Sequence, residues 1–128
     1  MRYLGVDYGS KKVGLALSDE AGTMGFPHAI LPNTPRLAEE VAALIEREGV
    51  GAVVIGESRD LAGGENPIAA EAHAFGDRLA ALASIPVSYE SEVFTSAEAR
   101  RVAPKGARVD ASAAALILTS FLTRQKGR

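Results

Sequence analysis

Arg2-Tyr-Leu-Gly-Val-Asp-Tyr8, then Gly9-Ser-Lys-Lys12, then Val13-Gly-Leu-Ala-Leu17 is the stretch that decides the fold. Two apolar runs joined by a four-residue turn predict a β-hairpin. Side chains alternate along a strand, so Asp7 shares a face with Gly5 and Tyr3, while Leu4, Val6 and Tyr8 take the other. A carboxylate inside an apolar strand is costly unless it is paired or holds a cation. Gly5 and Gly9 on either side let another backbone, a ligand or an ion come close. Asp7 is therefore the first candidate for a ligand or metal site; the ordinary alternative is a hydrogen-bonded acid at a strand end.

Working outward, 128 residues predict a single domain, 1–128, large enough for a proper core. The apolar share of 47% and charged share of 23% are those of a soluble globular protein. Absence of cysteine excludes disulfides, thiolate zinc sites and thiol nucleophiles. Few aromatics argue against an extended base-stacking platform. No leader-like or membrane-length apolar run is visible, so a cytoplasmic protein with no membrane contact is expected. The net charge of −2 hides an asymmetry: residues 1–99 carry 7 basic and 15 acidic groups, whereas residues 100–128 carry 7 basic groups against Asp110 alone. A basic end on an acidic chain suits a phosphate-facing surface, or simply a solvated helix and tail.

Beyond the hairpin, Pro27–Leu31 predicts a third, edge strand. Thr34 as N-cap and Pro35 at the first helical position start a helix running to about Glu48, closed by Gly49. Gly51–Ile55 is a continuous apolar run, expected to be a strand covered on both faces. A polar, glycine-bearing loop from Gly56 to Asn66 follows, then a helix over Pro67–Ala83 and a strand over Ile85–Tyr89. Thr95-Ser-Ala-Glu98 matches a capping box for a short helix to about Val102, and a last, largely apolar helix spans Val109 to about Arg124. The order β-β-β-α-β-α-β-α-α predicts an α/β protein with a mixed five-stranded sheet and helices on its faces, the later strands parallel to the first.

Ligands in such sheets collect at the carboxyl ends of the parallel strands. Asp7, Glu57 and Glu92 fall at or just past such ends, and Asp110 opens the last helix. Bare carboxylates converging there would repel, and a hard divalent cation is the simple relief. Mg²⁺ or Mn²⁺ prefers oxygen donors, and two ions about 4 Å apart can promote phosphodiester hydrolysis. Each acid also has an ordinary reading: Glu57 as a turn acid, Glu92 as a solvated loop charge, Asp110 as a helix cap. Lys11 and Lys12, with Arg100, Arg101, Lys105 and Arg108, either flank the site and meet phosphates or serve solubility. His28 and His73 have no motif partner and read as surface or packing residues.

Leu4-Gly-Val-Asp-Tyr-Gly9 with Val13-Gly-Leu-Ala-Leu-Ser-Asp19 resembles the opening of the YqgF/RuvX family, RuvC-like members of the RNase H-like superfamily. The resemblance continues in Val53-Val-Ile-Gly56, in Pro86 through Glu92-Val-Phe-Thr-Ser96-Ala-Glu-Ala99, and in Val109-Asp-Ala-Ser-Ala-Ala114. It implies an RNase H-like fold and a Mg²⁺- or Mn²⁺-dependent nuclease, a hydrolase acting in pre-16S rRNA processing or as a Holliday junction resolvase. It puts the acidic triad on Asp7, Glu92 and Asp110. The chain departs from the family where an aspartate and an arginine usually flank the glutamate; here stand Ser91 and Val93. Glu57 replaces part of a usual Gly-Leu-Pro and is a candidate supplementary metal ligand.

The leading expectation is an endonuclease on structured RNA or branched DNA; cutting a four-way junction symmetrically would call for a homodimer. Asp-Tyr-Gly-Ser10 before a strand is also similar to the first phosphate loop of actin-like ATPases and sugar kinases, but those need two such domains. A non-catalytic nucleic-acid or ribosome-assembly binder on the same fold is the third expectation.

Overall fold

The computed structural model describes residues 1–57, 67–91 and 109–126. The strands are β1 (Arg2–Asp7), β2 (Lys12–Ser18), β3 (Gly25–Pro32), β4 (Val50–Glu57) and β5 (Val87–Ser91). The helices are α1 (Leu37–Glu48), α2 (Pro67–Ala83) and α3 (Val109–Lys126). The sheet order is β3-β2-β1-β4-β5. β1, β2 and β3 pair antiparallel, and β4 and β5 join β1 in parallel, as the element order requires. The expected short helix at Thr95–Val102 lies outside the described residues.

Alternation along β1 and β2 sorts the sheet into two faces. Leu4, Val6, Val13, Leu15, Val53 and Ile55 form one core with Val41, Leu44 and Ile45 of α1 and Phe75 and Leu79 of α2. Each fully buried side chain of this size contributes about 1.5–3 kcal/mol before entropic costs. Ala16 and Val54 face the other way, onto Ala114, Ala115, Ile117, Leu118 and Leu122 of α3. The nearly all-round apolar character of α3 is thus explained by a helix that crosses all five strands.

Two glycines let α3 sit that close. A Cβ at Gly5 would stand 2.8 Å from Leu118 Cβ and 2.9 Å from the Ala114 carbonyl oxygen. At Gly25 it would stand 2.9 Å from the Ala115 carbonyl oxygen. The Gly25 N–H also donates to Thr119 Oγ1 at 3.0 Å, fastening the edge strand to the helix.

Several predicted boundaries move. β3 begins at Gly25 rather than Pro27, because Gly25 still pairs with Ser18; a one-residue slip at His28 absorbs the irregularity around Pro27. α1 begins at Leu37, with Arg36 rather than Thr34 at its N-cap and no side-chain cap. Thr34 instead heads the preceding turn, its Oγ1 accepting the Arg36 N–H at 3.2 Å and its carbonyl accepting the Leu37 N–H at 3.0 Å. Gly49 closes α1 as expected, left-handed at φ 68° with its N–H on the Ile45 carbonyl. β5 is displaced to Val87–Ser91: Pro86 already accepts from the Val53 N–H, and ladder pairing starts at Val53–Val87.

Asp19 organises the β2–β3 turn. Its carboxylate accepts the Thr23 hydroxyl and the backbone N–H groups of Thr23 (2.7 Å) and Met24 (3.3 Å). These donors, the Thr23 hydroxyl foremost, lower its pKa to about 2. The folded value lies below the unfolded one, so this contribution is complete above the ordinary value of 3.8 and is lost as pH falls through about 2. Thr23→Val should raise the Asp19 midpoint towards 3.8 in a carboxylate NMR titration; a midpoint that stays near 2 contradicts the assignment. Gly5→Ala should destabilise the protein by about 1–3 kcal/mol through overpacking under α3. Urea unfolding reads the loss, and an unchanged midpoint would show that the helix is not held against Gly5.

Candidate metal and nucleic-acid site at the carboxyl edge of the sheet

Asp7 is the last residue of β1 and is half-buried. Its register partners are Gly14 on β2 and Gly56 on β4. Register partners share a face, so no side chain stands beside Asp7 on either neighbouring strand. The core leucine and valine of β1 fix its direction: with Leu4 and Val6 under α1 and α2, and Tyr3 and Gly5 under α3, Asp7 belongs to the α3 side.

The run of α3 decides what lies near it. Tyr3 meets the Phe121 ring at 6.1 Å, whereas Gly5 meets Ala114 and Leu118, so α3 runs antiparallel to β1. From Gly5 to Asp7 the strand advances about 6.6 Å, the rise of four to five helical residues. Counting back from Ala114–Leu118 reaches the first turn of α3. Asp110 is the second residue of that helix. The backbone therefore brings the Asp110 turn to the edge at which Asp7 ends.

Glu57 ends β4, one position past Gly56, and pairs in register with Ser91, the last residue of β5. Glu92 follows β5 and lies outside the described residues, as do Arg100, Arg101, Lys105 and Arg108. Among the described residues no three potential ligand side chains cluster. Lys11 and Lys12 are exposed on the β1–β2 turn, at the same edge. The residues that the register and the run of α3 bring to this edge, Asp7 at the end of β1, Glu57 at the end of β4 and Asp110 in the first turn of α3, are all acidic. Such a set fits a hard cation such as Mg²⁺ or Mn²⁺ and not a soft metal. His28 lies exposed on β3, and His73 stacks on Tyr89 with centroids 4.1 Å apart, so neither histidine adds to the set.

Two residues carry more than their sequence context suggested. Asn33 holds the turn that follows Asp7: its Nδ2 donates to the Gly9 carbonyl at 2.8 Å and its N–H to the Lys11 carbonyl at 2.9 Å. In sequence it is one residue of Pro32-Asn33-Thr34-Pro35, a breaker cluster before α1. Glu90 is 1% exposed, in register with Gly56, and accepts the Ser120 hydroxyl at 3.2 Å. Glu90 alternates with Tyr89 along β5 and so lies on the face that α3 covers. The bond ties β5, two residues before Glu92, to the helix that carries Asp110.

A groove of about 660 Å³ lies at the opposite end of the sheet, where Gly49, Val50, Ala83 and Ile85 meet. No strand of the parallel set ends there, so cavity size does not locate this site. No helix among the described residues is long and apolar enough to cross a membrane.

Comparison with known proteins agrees with this architecture. A protein from Anaplasma marginale named "Putative pre-16S rRNA nuclease" is 37% identical over 137 residues, spanning 99% of this chain and 87% of the relative. A protein of the same name from Pelotomaculum thermopropionicum is 35% identical over 136 residues, spanning 98% and 88%. Thermus thermophilus RuvC in complex with a Holliday junction superposes with a TM-score of 0.69 at 17% identity, over 99% of this chain and 97% of RuvC. The fowlpox virus resolvase bound to Holliday junction DNA superposes with a TM-score of 0.64 at 14% identity, over 98% and 99%. The fold is RNase H-like, of the RuvC type. The RuvX family model, described as a Holliday junction resolvase, matches residues 1–124, and the chain belongs to that family.

Proposed function

We propose that the protein is a Mg²⁺- or Mn²⁺-dependent endonuclease that hydrolyses phosphodiester bonds in structured RNA, with precursor 16S rRNA as its substrate. The observation that carries this reading is the half-buried Asp7, set between two glycine positions at the strand edge where α3 begins. A half-buried carboxylate at the carboxyl end of parallel strands is the kind of group that functional sites keep. Names of relatives at 35–37% identity along almost the whole chain favour an rRNA precursor as the substrate.

Asp7, Glu92 and Asp110 would hold the metal, with Glu57 as a supplementary ligand. When bound, the metal would activate water and stabilise the leaving oxygen. The residues of the chain supply position. β1 and α3 bring Asp7 and Asp110 to one edge, and Asn33 holds the Gly9–Lys12 turn beside them. Lys11 and Lys12, with Arg100, Arg101, Lys105 and Arg108, meet the phosphates, fixing register on the strand without reading its sequence.

A second reading, resolution of branched DNA, is favoured by the description of the family model. One assay separates the readings: labelled pre-16S rRNA fragments and four-way DNA junctions are offered with Mn²⁺, Mg²⁺ or chelator. Cleavage of RNA is expected with metal and none with chelator. Asp7→Asn should slow it at least about a hundredfold, equivalent to about 3 kcal/mol in the barrier. Affinity should fall steeply with salt as counterions are released. Cleavage of the junction alone would favour the second reading. Binding that survives Asp7→Asn with no metal-dependent cleavage of either substrate would make the protein a binder rather than an enzyme.

A further inference from the structure

A cleft of about 270 Å³ opens between the start of α1 and the middle of α2, on the sheet face opposite Asp7. Tyr8, the residue after Asp7, forms its inner wall together with Phe75; the two rings lie 5.4 Å apart at 38°. Asn33, Thr34 and Pro35 form one lip and Arg78 the other. We infer that this cleft receives one unpaired nucleobase from the strand whose phosphate lies at Asp7, and that the protein thereby selects substrates that are single-stranded beside the cut. The inference rests on the nucleic-acid reading of the Asp7 edge and adds a substrate feature to it.

Four observations support a base as the occupant. The cleft lies at the same edge of the sheet as the site, with Tyr8 in its wall. Asp7 ends β1 and Tyr8 follows it, packed against the core on the opposite face of the sheet, so only the thickness of the sheet separates the phosphate position from the cleft. Asn33 belongs to both, lining the cleft while its two hydrogen bonds hold the turn after Asp7. The wall chemistry also fits. Tyr8 is half-buried and braced by Phe75, which leaves an aromatic surface of fixed orientation for stacking. Unpaired bases are commonly held on such surfaces.

The polar groups and the charge complete the match. Asn33 donates through Nδ2, which leaves acceptor capacity at its amide oxygen, and Thr34 accepts the Arg36 N–H, which leaves its hydroxyl proton to donate. A donor and an acceptor at one lip can meet the hydrogen-bonding edge of a base. Arg78 is engaged by Glu39, and Glu71 adds a carboxylate to the rim, so the cleft offers no unbalanced positive charge to a phosphate. A neutral ring suits it better, and its volume has room for one base but not for a base pair.

The test reads binding apart from catalysis. Asp7→Asn protein, in chelator, is titrated into an RNA stem carrying one bulged 2-aminopurine and into the same stem fully paired. Tighter binding of the bulged stem, with a change in 2-aminopurine fluorescence on stacking, is expected. Two further substitutions are then added singly. Tyr8→Leu removes the ring, and Ala74→Phe fills the cleft from an exposed position on α2 without touching the core. Each should weaken the bulged stem by about 5- to 100-fold, the range seen when a stacking aromatic is removed, and leave the paired stem unchanged. Equal affinity for the two stems, or an Ala74→Phe variant that binds the bulged stem as well as its parent, overturns the inference. Metal-dependent cleavage by the unsubstituted protein is scored on the same RNAs. Cleavage without base selection would leave the nuclease standing and remove the cleft; selection without cleavage would do the reverse.

Discussion

The contact between α3 and the bare backbone of β1 at Gly5 sets the geometry of everything else. A side chain there would collide with Leu118 and with the carbonyl of Ala114, and a carbonyl cannot swing aside as a flexible side chain can. With no side chain, the helix settles on the sheet, and Gly25 gives the same clearance at the other side. The helix then spans all five strands, with Tyr3 and Phe121 fixing one end. Its other end, the turn that holds Asp110, falls at the edge where Asp7 stops. One packing contact thus serves the core and places two acids that are far apart in sequence.

The same edge has two differently built sides. Under α3 lie Asp7, its glycine neighbours and the buried Glu90–Ser120 bond, a rigid and acidic environment. Under α1 and α2, Tyr8 and Phe75 line an aromatic cleft with polar lips. Asn33 joins the two by fastening the β1–β2 turn. Alternation carried one residue past the strand is the cause: Asp7 ends β1 on one side, and Tyr8 just after it packs its ring on the other. A nucleic-acid strand lying across the edge would meet both.

Much of this was legible in the chain. Alternation in Arg2–Tyr8, the glycine-lysine turn and the apolar run after Gly49 each reflect a local preference that tertiary structure did not override, and they specify the hairpin, the parallel β4 and the α1 terminus. Most of what escaped depended on non-local partners. Gly25 lies before the strand expected at Pro27–Leu31, yet β3 extends to it because β2 supplies its ladder and Thr119 its anchor. Thr34 has the chemistry of a cap, but Pro35 and Arg36 spend it on a preceding turn. Glu90 carries no sequence signal of burial, because the cover and the Ser120 hydroxyl come from α3. Asn33 could not be seen as a brace for the turn because its partners lie 22 to 24 residues earlier. RuvC keeps the same architecture at 17% identity, so the fold does not require most of this chain's particular residues.

The central claim is that Asp7 and Asp110 meet at one ion site. Anomalous diffraction from crystals grown with Mn²⁺ tests it without reference to any substrate. The account predicts manganese within about 2.0–2.3 Å of carboxylate oxygens, with Asp7 and Asp110 engaged in a single cluster of one or two ions. Manganese bound elsewhere, or Asp7 and Asp110 too far apart to share such a cluster, would contradict it.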